Sequence, residues 1–377
     1  MGQNQHIDQL LERLQNAPPS LLPMNMYIEN HFSQEEQELL FQYFSNNSAQ
    51  HTNELPFSES FGSTAFYAQE IYNFNTQFGT IPLTPPFDFN PVGTPTNGIL
   101  FADDYDGSGT LYGLEFSLSQ LVIVDPVTGT KTNVGALTGL LPNHIPSGLS
   151  WDPVSETMYA LSGDWDNPVF AEAQLYSVNL ETGVLTPIGS PTTEPIGFWL
   201  AISNEGVAYV ASSQNLYSMD LSTGEPTLIG AMGVSLNFTQ DASFDPDTNI
   251  LYAATFQSGQ NGSISEINLA TGEATILGTT NGDEYGSFSI YEDKDLGTGD
   301  NALQAISLFP NPTKGKVTVH APFDIPIDTV ELFNTLGSRQ SIELKDNSID
   351  LSHLNSGVYF LAITSNEKSV VKRIVKQ

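Results

Sequence analysis

The chain of 377 residues contains no cysteine. Disulfide bonds, thiolate nucleophiles and cysteine-ligated zinc sites are therefore excluded, because each of them needs the sulfur atom. The redox compartment stays undecided, since a protein of either kind of compartment can lack cysteine. Hydrophobic residues make up 39% of the chain and aromatic residues 10%, which is enough to build packed cores without covalent cross-links.

Long apolar runs are also missing. No stretch reaches the ~18 consecutive apolar residues from which a membrane-spanning helix is recognised. The first residues, MGQNQHIDQLL, contain no basic segment followed by an apolar one, so no signal peptide is visible. We expect that the protein is either not exported or that its leader is not part of this sequence.

Basic residues are scarce: 11 Lys and Arg oppose 43 Asp and Glu, for a formal net charge of −32. The pI near 4.1 argues against nucleic acids and acidic lipid surfaces as partners, because both would be repelled. Cationic ligands and divalent metals are favoured instead. Residues 301–377 hold eight basic and seven acidic residues (8 − 7 = +1), whereas residues 1–300 hold three and 36 (3 − 36 = −33). So sharp a break predicts two units with different tasks.

A repeat occupies the middle of the chain. Its four copies are LVIVDPVTGTKTNVG from Leu121, LYSVNLETGVLTPIG from Leu175, LYSMDLSTGEPTLIG from Leu216 and ISEINLATGEATILG from Ile264. Each copy reads as a strand, a Thr-Gly turn and a second strand that ends in Gly, because glycine tolerates the positive φ of such hairpins. The turn glycines are Gly129, Gly183, Gly224 and Gly272, spaced by 54, 41 and 48 residues.

A second pattern alternates with the first. It reads strand, polar turn and a strand that carries a tyrosine, as in SGLSWDPVSETMYALS, and its tyrosines are Tyr112, Tyr159, Tyr209 and Tyr252. One unit thus contains four short antiparallel strands over ~45 residues, a period typical of propeller blades. Two half-units flank the series, and their pairing would close a ring and remove its exposed strand edges. These repeats resemble the blades of secreted bacterial propeller proteins.

The segment before the repeats is expected to be helical, and the segment after them is expected to be a linker. Ile7, Leu10, Leu11 and Leu14 share one helical face, and Ser33 and Glu36 stand at capping-box spacing. We expect two short helices that pack on the propeller or cap its edge. The polar, glycine-containing segment after the repeats is typical of a linker.

The last residues alternate between apolar and polar positions, as strands of a small β-sandwich do. In order, they contain LFPNPTKGKVTV, ELFNTLGSRQ, IDLSHLNSGVYFLAI and KSVVKRIVKQ. This tail is similar to the C-terminal sorting domain of type IX secretion substrates. The resemblance implies a cleavable leader, export across the outer membrane by recognition of the tail, and removal of the tail with release or attachment to surface lipopolysaccharide. The matching positions are Pro310, Asn311, Pro312, Gly315, Gly337, Leu351, Gly357, Tyr359, Lys372 and Lys376. The alternative for the tail is an ordinary immunoglobulin-like adhesion module.

The sharpest local motif for a ligand is DYDGSGTLYGLE. Asp104, Asp106 and Ser108 fall at positions 1, 3 and 5 of the calcium-loop template, so they are the candidate ligands of a hard cation, with calcium as the candidate ion. Glu115 falls at position 12, but an intervening strand would carry it away from the loop. The alternative is a polar hairpin turn without a metal.

Aromatic residues in the repeat region suggest a second kind of contact. The loop Asp164, Trp165 and Asp166 places an aromatic ring between two carboxylates, as in a sugar site, or forms a solvated loop. Trp151 and Trp199 begin inner strands, where packing is the expected role. The sequence contains no catalytic motif such as G-x-S-x-G, a phosphate loop or H-E-x-x-H, so no catalytic or cofactor-binding residue is predicted.

Together these features predict a mainly β protein with four parts. They are a helical segment (1–61), a β-propeller of five or six blades (62–293), a linker (294–303) and an immunoglobulin-like sorting sandwich (304–377). The first functional hypothesis is a secreted or cell-surface bacterial protein. Type IX machinery would bind its tail, and its acidic propeller would be a non-catalytic binding or adhesion scaffold for an extracellular glycan or protein. The alternative is an extracellular hydrolase or lyase with its active site at the propeller channel.

Overall fold

The computed structural model describes residues 2–47, 63–71, 76–95, 98–164, 172–257, 261–280, 282–292, 307–309, 311, 313–320, 327–334, 339–342, 344–345, 347–365 and 368–376. The chain is mainly β and divides into two compact units, Met1–Glu292 and Asp293–Gln377. None of the described helices is long and apolar enough to cross a membrane.

The first unit begins with three helices where the sequence predicted two: α1 (Gly2–Gln15), α2 (Met24–His31) and α3 (Gln34–Asn47). The capping box of α3 is confirmed, since the Ser33 N–H donates to the Glu36 carboxylate at 2.9 Å and the Glu36 N–H faces the Ser33 hydroxyl at 3.5 Å. Helix α2 was missed because eight residues are too few to show a helical period. Leu10 and Leu14 of α1 are buried in one cluster with Phe238, so the helices are packed onto the unit.

The segment between α1 and α2 is inserted into the unit. Leu21 is 3% exposed and lies against Gly163 and Gly197, where a Cβ atom would stand 2.7 and 3.2 Å from a Leu21 methyl carbon. The Ser20 N–H donates to the Asn237 side-chain oxygen at 2.7 Å, and the Thr239 hydroxyl donates to the Leu21 carbonyl. Because Gly163 and Gly197 have no side chains, they leave a socket that the Leu21 side chain fills.

Five four-stranded antiparallel sheets make up the rest of the unit. The first sheet contains β20 (Tyr285–Glu292), β1 (Ser63–Glu70), β2 (Gln77–Pro82) and β3 (Asn90–Pro91), and the second contains β4 (Leu100–Tyr105), β5 (Leu111–Glu115), β6 (Gln120–Val124) and β7 (Lys131–Ala136). The third sheet contains β8 (His144–Asp152), β9 (Thr157–Asp164), β10 (Ala173–Val178) and β11 (Leu185–Thr192), and the fourth contains β12 (Leu200–Ile202), β13 (Ala208–Ala211), β14 (Asn215–Met219) and β15 (Pro226–Ala231). The fifth sheet contains β16 (Ala242–Phe244), β17 (Leu251–Gln257), β18 (Asn261–Ile267) and β19 (Ala274–Thr279). The predicted pairing of the flanking half-units is confirmed, because β20 pairs with β1.

The first strand of each sheet, in the order just given, contacts the first strands of two other sheets. Strand β4 lies against β20 and β8, β12 against β8 and β16, and β16 against β20, so the contacts form a closed cycle. We call β4, β8, β12, β16 and β20 the inner strands. Each has one edge without a strand partner, and these five edges bring the sheets together.

The Thr-Gly turns are built alike in four sheets. Side-chain oxygens of Asp125, Asn179, Asp220 and Asn268 accept hydrogen bonds from backbone N–H groups two residues later, at 2.7–2.9 Å. The glycine that follows has positive φ in every copy, from 67° to 84°. Such turns form from local residues alone, which explains why the sequence predicted them.

The glycine that ends each repeat has a different role, in contacts between sheets. A Cβ atom on Gly230 would stand 2.2 Å from the carbonyl oxygen of Thr271, which belongs to the turn of the next sheet. Gly135 and Gly189 approach the carbonyls of Thr182 and Thr223 in the same way. Each of these contacts therefore joins two recurring features of the repeat, the Thr-Gly turn of one sheet and the final glycine of the neighbouring sheet.

The second unit contains two further antiparallel sheets. They are β21 (Ser307–Phe309), β22 (Lys316–His320), β26 (Ser348–Asp350) and β25 (Leu344–Lys345), and β24 (Arg339–Gln340), β23 (Thr329–Asn334), β27 (Gly357–Ser365) and β28 (Lys368–Lys376). One hydrophobic cluster joins the two sheets. Val317 and Ile349 from the first sheet and Leu361 and Ile374 from the second are all fully buried. The unit thus has a core of its own.

We predict that Gly230→Ala lowers the free energy of unfolding of the first unit by about 2–3 kcal/mol, because the new methyl group overlaps the Thr271 carbonyl. Gly233→Ala is the control. Gly233 has φ of +75° and no atom within 4 Å of an added Cβ, so it reports the backbone cost alone, about 1 kcal/mol. Denaturant titration followed by tryptophan fluorescence measures the first unit, which contains all three tryptophans. A Gly230→Ala cost no larger than the control would contradict the contact.

We also predict that Leu21→Ala lowers the free energy of unfolding by about 2–5 kcal/mol, because it empties the socket between Gly163 and Gly197. The matched control is Leu118→Ala, which changes the same side chain at a position that is 69% exposed and is expected to cost less than about 0.5 kcal/mol. The same titration compares the two variants. Equal effects would mean that the segment before α2 adds no stability.

Candidate functional site at the centre of the first unit

The free edges of the inner strands need hydrogen-bond partners, because buried backbone groups without one are costly. Asp241, which directly precedes β16, supplies three of these bonds. One carboxylate oxygen accepts from the N–H groups of Asp103 in β4 (3.3 Å) and Phe288 in β20 (3.1 Å), and the other accepts from Ala242 (2.9 Å). Asp241 is fully buried, so this carboxylate links three sheets at the centre.

A second chain of hydrogen bonds links β4, β8 and β12. The Asp104 carboxylate accepts from the Trp151 N–H at 2.8 Å and from the Ser150 hydroxyl at 3.0 Å. The Ser150 oxygen accepts in turn from the Ile202 N–H at 3.0 Å. Burial raises the pKa of Asp104 to about 6, although the N–H groups of Trp151 and Tyr105 oppose the shift.

Asp103 differs from these two acids, since neither of its carboxylate oxygens has a hydrogen-bond partner among the described residues. It is 2% exposed, and burial raises its pKa to about 7, an effect that the nearby hydroxyls of Ser287 and Ser289 oppose. Those two serines are fully buried, and their hydroxyls lie near the carboxyl group without the geometry of a hydrogen bond. The charge of Asp103 also helps burial to raise the pKa of Asp241 well above its usual value.

Positive charge near this centre comes from Lys131, one of only two basic residues in positions 1–292. Its ammonium group donates to the Gly98 carbonyl at 2.6 Å. Burial lowers the pKa of Lys131 to about 8, while the carboxylates of Glu115 and Asp103 act in the opposite direction. The other basic residue, Arg13, pairs with Glu36 in the helices.

The N-terminal segment covers the centre where the inner strands begin. Leu21 and Leu22 share one buried cluster with Phe101 of β4, Ile145 of β8 and Trp199, which directly precedes β12. Below them, the fully buried carboxylate of Glu284 accepts from the Met24 N–H at 3.1 and 3.2 Å. Burial raises the pKa of Glu284 well above its usual value, and the charge of Glu70 adds to the shift.

The candidate metal ligands face different partners. The Asp106 carboxylate accepts from the N–H and hydroxyl of Ser108 (2.9 and 2.7 Å) and from the Thr110 N–H (2.9 Å), while Asp104 is bound to β8. Glu115 caps its own turn through Ser117 and Leu118, as expected of a residue carried away by the strand. Within the described part of the chain, no three His, Asp or Glu side chains form a group able to hold a metal ion. Calcium at Asp104, Asp106 and Ser108 stays a prediction.

The predicted roles of two tryptophans are confirmed. Trp199 is fully buried, and Trp151 packs against the core between the second and third sheets. Asp164 ends strand β9, whereas Trp165 and Asp166 lie outside the described residues. The proposed sugar-binding loop is therefore neither supported nor opposed.

Several tail motif positions form hydrogen bonds within the second unit. The Asn311 side-chain oxygen accepts from the Val375 N–H at 2.9 Å, so the start of the tail holds its last strand. Leu351 is fully buried and donates its N–H to the Gly315 carbonyl at 2.8 Å, and the Tyr359 hydroxyl donates to the Asn355 carbonyl at 2.9 Å. Gly357 begins β27, and Lys372 and Lys376 lie in β28. Pro310, Pro312 and Gly337 lie outside the described residues.

Sequence reasoning missed the buried acids Asp103, Asp241 and Glu284 and the serines beside Asp103. The available signal was weak: two consecutive aspartates in an apolar strand, LFADDY, and an aspartate directly before another, QDASF. A buried strand rarely carries a carboxylate unless it is paired or serves a function. The sequence does not show which strands approach one another, so it could not reveal that these acids meet.

Comparison with known proteins identifies the tail. Residues 307–377 match the family model of the secretion system C-terminal sorting domain, whereas no curated protein matches the chain. Three solved structures are similar to the chain: the nidogen/laminin complex (10% identity, 61% of this chain and 98% of that chain, TM-score 0.38), a gluconolactonase of Xanthomonas campestris (13%, 58% and 77%, 0.38) and the calcium-binding protein regucalcin of Agrobacterium tumefaciens (13%, 72% and 86%, 0.40). Similarities at these TM-scores carry no conclusion about this chain. The tail match does: residues 307–377 are a type IX sorting domain, and the protein is exported to the cell surface or the extracellular space.

Proposed function

We propose that residues 62–293 form a five-bladed β-propeller that acts as a non-catalytic binding or adhesion scaffold for an extracellular glycan or protein. In this proposal residues 1–61 are a helical segment, 294–303 a linker and 304–377 an immunoglobulin-like sandwich that serves as the export address. The closed cycle of inner strands supports the propeller, since five four-stranded sheets that meet at their first strands have that architecture. The single core between the two tail sheets supports the sandwich.

One observation carries the scaffold function: the ionisable groups at the centre are used internally. A catalytic acid or base must reach its substrate, either directly or through one water molecule. Asp241 and Asp104 accept hydrogen bonds from the backbone of neighbouring sheets, and Glu284 holds the N-terminal segment. Asp103 is 2% exposed. Leu21 and Leu22 cover the centre at the beginning of the inner strands.

The second candidate is the hydrolase or lyase, and Asp103 is the observation that favours it. A carboxyl group with a pKa of about 7 has the value that suits a general acid or base at neutral pH. Its free oxygens would be the reacting atoms if substrate reached them. Buried structural carboxyls also have raised pKa values, so the pKa alone does not separate the two functions.

The negative net charge of the first unit limits the kinds of ligand that it can bind. Positions 1–292 hold two basic and 33 acidic residues (2 − 33 = −31), so this unit repels polyanions. Neutral glycans and basic proteins fit it best. A hard cation at Asp104, Asp106 and Ser108, with calcium as the probe, is the proposed additional ligand, and it would stabilise the hairpin rather than take part in chemistry.

The binding function is tested with the purified full-length protein on a glycan and peptide array, with and without calcium. We expect binding to neutral glycans or basic peptides and no change in the bound molecule, because Asp241, Asp104 and Glu284 hold groups of the protein itself and Asp103 is 2% exposed. Binding to basic peptides should weaken as salt rises, since exposed charges are screened beyond ~10 Å at about 0.1 M salt. Asp106→Asn is the control for the calcium arm. Release of a cleavage product from any bound glycan would overturn the scaffold in favour of the enzyme.

Asp103→Asn separates a structural role from a catalytic one. The folded-state pKa of Asp103 is raised, so the folded state binds more protons than the unfolded state between pH ~4 and ~7, and stability falls as pH rises through this range. We predict that Asp103→Asn raises the free energy of unfolding by about 1–4 kcal/mol at pH 8, with little effect near pH 4. The array binding should be unchanged.

Thermal unfolding of the full chain from pH 4 to 8 measures this effect. Asp104, Asp241 and Lys131 also lie near Asp103 and titrate, so the difference between variant and native protein is the quantity to compare. Glu181→Gln, at an exposed turn, is the control for the loss of one negative charge. A variant that is less stable than the native protein at pH 8 would contradict the predicted cost of ionising Asp103, whereas the loss of a turnover found on the array would favour the catalytic role.

A further inference from the structure

Among the described residues of the second unit, one sheet edge is long and has no partner strand over most of its length. Each of its two sheets has two edges, formed by β21, β25, β24 and β28. The first three contain three, two and two residues, whereas β28 contains nine. Natural sheets keep their edges short or cover them, because an open edge pairs readily with another strand. Strand β28 is the exception in the described part of this unit.

The start of the tail covers only the end of that edge. The Thr313 N–H donates to the Val375 carbonyl at 2.9 Å, and the Val375 N–H donates to the Asn311 side chain at 2.9 Å. Both polar backbone groups of Val375 therefore point away from β27. Backbone groups alternate along a strand, so those of Ser369, Val371 and Arg373 also point outward. No residue in the described part of the second unit supplies partners for these three.

The charge of β28 indicates what would pair with it. Lys368, Lys372 and Arg373 are three of the 11 basic residues in the whole chain, and the fourth basic residue of the strand, Lys376, is 8% exposed. Pairing of two copies of β28 would bring six positive charges together, three from each copy, which opposes self-association through this edge. An acidic strand would be attracted instead. Basic residues also protect edges from aggregation, but that role does not explain an edge of nine residues.

We propose that the open edge of β28 is a docking site, to which an extended acidic segment of the export machinery adds as a further strand. Main-chain hydrogen bonds to Ser369, Val371 and Arg373 supply affinity, as in other cases of strand addition, and the positive charge of the strand favours an acidic partner. Asn311 and Thr313 close the edge at Val375 and so limit the length of the added strand. The inference rests on the export role of the tail and describes how the tail is recognised.

The test removes one outward N–H and leaves the sheet intact. Val371→Pro deletes a donor that points away from β27, which an edge strand tolerates. Val371→Thr is the matched control, because it keeps both the N–H and the β-branched shape. Each full-length variant, with a cleavable leader, is produced in a bacterium that has a type IX secretion system. The fraction of protein outside the cell is measured, together with the melting temperature of the purified protein.

We expect Val371→Pro to fold normally and to be exported at least about tenfold less than Val371→Thr, which matches a loss of ~1.4 kcal/mol in recognition. Normal export of Val371→Pro would overturn the proposal, and so would dimers of the native protein that Val371→Pro dissociates. If Val371→Pro unfolds the tail, Ser369→Pro replaces it. Unfolding by both variants would show that these N–H groups have partners within the protein, which also contradicts the proposal. A chain without residues 307–377 tests the sorting role itself, which is wrong if this shortened chain is still exported. If the shortened chain is not exported but the proline variants are, the sorting role stands and only strand addition is wrong.

Discussion

The first unit depends on how its sheets satisfy the edges that they turn toward one another. Among the described residues, each inner strand has one edge without a strand partner, and residues at these edges such as Asp103 and Asp241 are buried. Asp241 supplies hydrogen bonds to two of these edges, since one of its carboxylate oxygens accepts from the backbone N–H groups of Asp103 in β4 and Phe288 in β20. Ser150 and Asp104 do the same for β4, β8 and β12. The carboxyl groups of Asp241 and Asp104 are thus explained by hydrogen bonding across the sheets, and their raised pKa values follow from the burial that this role requires.

Features that come from neighbouring residues were predictable, and features that come from distant contacts were not. The four-stranded repeat, its Thr-Gly turns and the capping box of α3 were read directly, because alternation, turn chemistry and cap spacing are local. The pairing of β20 with β1 was predicted as well, since an incomplete unit stood at each end of the series. The acids at the centre could not be placed, because Asp103 and Asp241 are 138 residues apart and meet only when the sheets assemble.

The calcium-like motif also shows that residues close in the sequence need not act together in the structure. Its residue types match a template at four positions, yet the carboxylates of two of them have separate roles: Asp106 organises its own turn, and Asp104 accepts hydrogen bonds from β8. A template compares positions along the chain, whereas a ligand set requires oxygen atoms that converge. The glycines that end the repeats are the opposite case. They were visible in the sequence, but their reason, the approach of a carbonyl from the next sheet, became clear only in three dimensions.

The unequal charge of the two units fits the division between cargo and address. An acidic cargo stays soluble and does not bind other acidic surfaces, so it cannot itself attract an acidic partner strand. In the proposed docking, the positive charge that attracts an acidic partner strand lies in the second unit, within the nine residues of β28. Asn311 and Thr313 add the second requirement, because they hold this strand in place from the far end of the domain's sequence. Four of the motif positions, Asn311, Gly315, Leu351 and Tyr359, form hydrogen bonds that fix the ends of strands or the turns beside them. In the proposed docking, these hydrogen bonds hold the edge of β28 in a fixed position.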